Sequence, residues 1–80
     1  MTKRSLKSKD LVIRIQSDAK YIWYINGIFE GYEGLAVVRT LDKDKGIIEL
    51  LSTIDQFNDL RKLLTNLSAE IGLNVLHEQE

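Results

Sequence analysis

From Leu11 to Gln16 the side chains alternate, with Leu11, Ile13 and Ile15 on one side and Val12, Arg14 and Gln16 on the other. This period of two predicts a first strand whose odd positions face a core. The spacing then lengthens. Ile22, Ile25, Phe29 and Tyr32, flanked by Tyr21 and Ile28, gather on one side of a helical wheel, with Trp23 nearly opposite. A helix is therefore expected from an N-cap at Ser17 or Asp18 to about Glu30, with Gly31 and Gly34 ending it. Alternation returns from Leu35 to Ser52, interrupted by Asp42-Lys43-Asp44-Lys45-Gly46, a turn in which Gly46 supplies the left-handed position. Thr53 and Gln56 fit a capping box, and Phe57, Leu60, Leu64, Leu67 and Ile71 follow at three-four spacing, so a second helix is expected up to Gly72. A last strand runs from Leu73 to about His77.

The resulting order βαββαβ favours an α+β ferredoxin-like sandwich: a four-stranded antiparallel sheet in order 4-1-3-2 with both helices on one face. The hairpin then decides which side chains lie on the other face. Its even positions Ala36, Val38, Thr40, Ile48, Leu50 and Ser52 carry no charge, whereas the odd set includes Arg39 and Glu49. An unpaired charge is costly to bury, so the even set should face the helices. The open face is then expected to hold Leu35, Val37, Leu41, Ile47 and Leu51 around Arg39 and Glu49, with Val12 and Arg14 added by the first strand. In this strand order Arg14, Glu49 and Arg39 form one row. Five large aliphatics on two adjacent strands exceed what monomers usually expose, so a homodimer or another protein partner is expected there. A second candidate surface is Trp23, Gly27 and Gly31, at four-residue intervals on the first helix, with Tyr24 beside them.

Eighty residues, 44% hydrophobic and 29% charged, describe one globular domain, placed at residues 10–78, with a basic tail at 1–9 and a short tail at 79–80. Lys3, Arg4, Lys7 and Lys9 make the first tail basic, yet the whole chain carries a net charge of -1, which weakens any general case for nucleic acid. The chain has no cysteine, which removes disulfides and thiolate chemistry and fits a reducing, cytoplasmic setting. No apolar run is long enough for a membrane span.

Catalytic chemistry has little to build on. The single histidine, His77, is expected to be solvated near the chain end, and Glu30 and Glu33 form a solvated pair. Asp42 and Asp44 lack the remaining acids of a calcium loop and read as turn formers. No glycine-rich phosphate loop joins a strand to a helix start. Every aromatic lies on or beside a helix, whereas base stacking on such a sheet needs aromatics on strands. No metal, cofactor or catalytic residue is expected.

The run Glu30-Gly31-Tyr32-Glu33-Gly34-Leu35-Ala36-Val37-Val38-Arg39-Thr40, followed by Gly46-Ile47-Ile48-Glu49-Leu50, resembles a family of short bacterial proteins catalogued as a domain of unknown function. The resemblance implies a small stand-alone bacterial protein and supplies no activity. More loosely, the element order is similar to the ACT-type regulatory domains, which bind amino acids at subunit interfaces and carry a glycine after the first strand; here that junction is Gln16-Ser17-Asp18. Three function classes follow. The first is a non-enzymatic protein that self-associates or docks onto a partner through the open face. The second is a small-ligand sensor in which Arg14 and Arg39 hold an anion. The third is weak nucleic-acid binding by the basic tail.

Overall fold

The computed structural model describes residues 10–79. Strand β1 (Asp10–Gln16) leads through a 3-10 turn at Ala19–Tyr21 into helix α1 (Ile22–Gly31), and the hairpin of β2 (Val37–Asp42) and β3 (Ile47–Thr53) follows. A second 3-10 turn, Ile54–Gln56, opens α2 (Phe57–Ile71), and β4 (Asn74–Gln79) is the last described element. The sheet order is β2-β3-β1-β4, which is the expected order read from the other edge, and every neighbouring pair is antiparallel. Strand β4 begins one residue later than expected and reaches Gln79, past the expected domain limit at 78. The basic residues of the 1–9 tail lie outside the described residues.

Alternation in β1 and β3 selects the core. Leu11, Ile13 and Ile15 stand opposite Ser52, Leu50 and Ile48, and these apolar residues share one cluster with Ile25 and Phe29 of α1 and Leu60, Leu64 and Leu67 of α2. Both helices therefore cover the same sheet face, the one that carries the even hairpin positions. Each Leu or Ile fully buried here stabilises the fold by about 1.5–3 kcal/mol relative to exposure. Tyr24 adds a tie between the helices, its hydroxyl donating to Glu70 Oε1 at 3.0 Å.

Both helix entries differ from expectation. Neither Asp18 nor Thr53 makes a side-chain capping bond, and the Ser17 hydroxyl donates to the Asp18 carbonyl instead. The 3-10 turns explain this: Tyr21 and Ile22 N–H reach the Asp18 and Ala19 carbonyls, and Phe57 N–H reaches that of Ile54, so these N–H groups already have partners. Helix α1 retains Gly31 in its last turn, and Tyr32 falls beyond the helix with its ring half exposed rather than on the core stripe. The left-handed residue is Gly34, at φ 84°, which turns the chain toward β2. At the end of α2, Gly72 does adopt the left-handed cap, with its N–H on the Ser68 carbonyl at 2.9 Å.

Leu41 and Leu76 interrupt the two outer ladders. In β2 the register passes from Thr40 opposite Ile48 to Asp42 opposite Ile47, and in β4 from Val75 opposite Ile15 to His77 opposite Arg14. Each leucine is thus an extra residue in an edge strand, and each is exposed.

Candidate functional site

The sheet face away from the helices consists of three transverse rows. Pairing registers place Val37, Leu51, Val12 and Gln79 in the first, Arg39, Glu49, Arg14 and His77 in the second, and Asp42, Ile47, Gln16 and Asn74 in the third. Val37 is 65% exposed, and Leu41 and Leu51 are also exposed, while Val12 and Ile47 are partly covered. The central charged row therefore lies between two rows that carry aliphatic side chains.

Glu49 organises that row. It is only 7% exposed and sits on the central strand between Arg14 and Arg39 of the two neighbouring strands. Arg14 Nε donates to Glu49 Oε2 at 3.2 Å, and Arg39 Nε stands 3.7 Å from Glu49 Oε1, an ion pair longer than a hydrogen bond. No described side chain other than Glu49 pairs with either guanidinium, and both arginine side chains remain largely in solvent. One carboxylate thus meets two cations. Cross-strand spacing is about 4.8 Å, so the two arginine backbones stand roughly 10 Å apart on either side of it.

The row Arg14-Glu49-Arg39 was legible from alternation and strand order, and Val12, Val37, Leu41, Ile47 and Leu51 lie where they were expected. Leu35 does not. It precedes β2 and is 6% exposed, packed in the core. The turn at Gly34 sets its direction rather than strand alternation, and the Ser52 hydroxyl fixes its carbonyl at 2.6 Å. His77, expected to be solvated near the chain end, belongs to β4 and extends the charged row opposite Arg14, with Nε2 3.1 Å from Gln79 Oε1. Its ring is exposed, as expected, and its place opposite Arg14 follows from the register shift at Leu76.

The second candidate surface is reduced. Trp23 is 74% exposed and stacks edge-to-face on Tyr24, and Gly27 and Gly31 are exposed with open space around their Cα atoms. Tyr24, however, is engaged with Glu70 inside the molecule. That carboxylate also raises the Tyr24 pKa, first by accepting its proton in a hydrogen bond, with partial desolvation and the negative charge adding to the shift.

On the helix-covered side, Phe57, Leu64, Leu73 and Val75 line a groove of about 480 Å³ between α2 and β4, with Arg61 and Glu78 also on its walls. Among the described residues no group of three or more His, Asp or Glu side chains is arranged to hold a metal ion, and no helix is long and apolar enough to cross a membrane. Asp42 serves the hairpin turn, its Oδ1 accepting N–H groups of Asp44 and Lys45 at 3.1 and 3.0 Å.

These features define a small α+β protein with one sheet face covered by helices and the other left uncovered by the described residues. Residues 14–71 match the family described as Domain of unknown function (DUF4911), and the chain belongs to that family. The match spans Arg14, Arg39 and Glu49 and stops before β4. No curated protein and no solved structure matches the chain.

Proposed function

We propose that this is a non-enzymatic protein-docking module, built as a ferredoxin-like sandwich, whose working surface is the open sheet face. The observation that carries this reading is the apolar surface of exposed Val37, Leu41 and Leu51 and partly covered Val12 and Ile47 around a carboxylate already paired with two arginines. Aliphatic patches of this kind mark contact surfaces. The preformed Arg14-Glu49-Arg39 row fixes its charges before any partner arrives, which lowers the ordering cost of association.

The small-ligand alternative receives less support. Arg14 and Arg39 stand largely in solvent, and the groove between α2 and β4 lies on the other side of the sheet from them. The reading is tested by placing a photo-crosslinking amino acid at position 51 on the open face and, separately, at position 58 on the outer side of α2, in cells that express the protein. Discrete protein adducts from position 51, lost when Val37→Asp is added, are expected. Equal adduct patterns from both positions, unchanged by Val37→Asp, would exclude the open face as the docking surface.

A further inference from the structure

Resting on the docking reading above, we infer that the open face takes the surface of a different protein, one that presents carboxylates between apolar side chains, and not a second copy of this chain. The central row holds Arg14 and Arg39 against one carboxylate, and Glu49 is enclosed by both of them. The central row thus has one cation in excess, and its acid is withdrawn from contact; the face's other carboxylates lie outside this row, Asp42 held by the Asp44 and Lys45 N–H groups and Asp10 at the start of β1 opposite Thr53. In an isologous pair each patch meets itself, so a two-fold axis through this row would set four guanidiniums around two enclosed carboxylates. Like charges brought together in a desolvated interface oppose association.

A carboxylate from outside fits the same row without that conflict, because the Nη groups of both arginines have no described side-chain partner beyond Glu49. Aliphatic side chains of the partner then meet Val12, Val37 and Leu51 on one flank and Ile47 and Leu41 on the other. Nucleic acid, the other polyanion, is a poorer match. Tyr21, Trp23, Tyr24, Phe29, Tyr32 and Phe57 all lie in the helices or the segments beside them, leaving His77 at one end of the central row as the only ring that the described residues place on the open face for a base to stack on.

The test uses the full chain, isotope-labelled for NMR, and three probes: an 18-residue amphipathic helical peptide with a leucine stripe flanked by glutamates, its counterpart with lysines in place of glutamates, and a 12-nucleotide single-stranded DNA. The glutamate peptide is expected to perturb the amides of Val12, Arg14, Arg39 and Leu51, and the other two probes to leave them unmoved. Arg39→Gln, an exposed change on an edge strand, should weaken that binding about fivefold, the size of one exposed ion pair. Sedimentation should show a monomer at 200 µM protein. Equal perturbation of the open face by the glutamate and lysine peptides, with no effect of Arg39→Gln, overturns the acidic partner while leaving the docking reading in place. Perturbation by DNA alone, or a dimer that Leu51→Asp dissociates, overturns it in favour of nucleic acid or a second copy. If no probe moves the open-face amides and all perturbation falls elsewhere, both the inference and the docking reading fail.

Discussion

Replacing Gly46 by alanine should be among the most damaging single-methyl additions available to this fold. Gly46 closes the turn between β2 and β3 at φ 71°, and its carbonyl accepts the Ser17 N–H at 3.0 Å, tying the hairpin to the segment that follows β1. A Cβ at this position would overlap the Ser17 carbonyl oxygen and stand 2.9 Å from the Ser17 carbonyl carbon and 3.2 Å from the Ala19 nitrogen. All three are backbone atoms, so no side chain can swing aside. The left-handed conformation alone costs an alanine about 1–2 kcal/mol. Separating the two segments also removes the Ser17–Gly46 hydrogen bond and leaves a buried donor unpaired, which adds roughly 1–3 kcal/mol. The sum, about 2–5 kcal/mol, is a large part of the roughly 4–12 kcal/mol typical of a chain this long. Gly34 is the internal control: its φ is 84°, but nothing lies within 4 Å of an added Cβ, so Gly34→Ala should lose only the conformational share. Urea unfolding followed by circular dichroism compares the two midpoints. Equal losses in the two variants would refute the steric part of this reasoning.

Three further outcomes follow from the geometry. Gly27 lies inside α1 with open space around it, so Gly27→Ala should stabilise the protein by about 1 kcal/mol in the same urea assay. Tyr24 should titrate above the ordinary tyrosine range, read by NMR of labelled tyrosine rings, and Glu70→Ala should bring it back toward that range. Because the folded-state value is the raised one, the Tyr24–Glu70 contribution to stability is present below pH about 10 and is lost as pH rises through the folded value. Glu49→Gln leaves two guanidiniums facing one neutral amide and should cost about 1–2 kcal/mol, with both arginines partly solvated. Thermal unfolding checks this last figure, and a variant as stable as the parent would show that the row contributes nothing to folding.

The core and the central row were readable because they rest on periodicity within continuous ladders. Leu11, Ile13 and Ile15 and the charge-free hairpin positions Ile48 and Leu50 needed only an alternating backbone, and Leu60, Leu64 and Leu67 only the helical repeat. Period-two logic fails where the ladder has not begun or is interrupted. Leu35 stands two residues before β2 and takes its direction from the Gly34 turn, so extending the alternation back to it placed it on the wrong face. No face could be assigned along β4 from alternation, because Leu76 adds a residue to that strand. The capping bonds expected at Ser17 or Asp18 and at Thr53 failed because turn chemistry at the helix starts gave the N–H groups closer backbone partners. Local competition of that kind leaves little trace in residue identity.

The extra leucines at positions 41 and 76 have a bearing on how this molecule survives crowding. A four-stranded open sheet ends in two rows of backbone donors and acceptors, and a straight edge invites neighbouring chains to add strands without limit. Here each edge is interrupted within its own short strand, after Thr40 in β2 and after Val75 in β4, so an incoming strand would lose register within four residues of entering either edge. Growth into fibrils is thereby obstructed from both sides while the broad face stays uncovered. The sheet edges are in this way closed to strand addition without any element being spent on covering them.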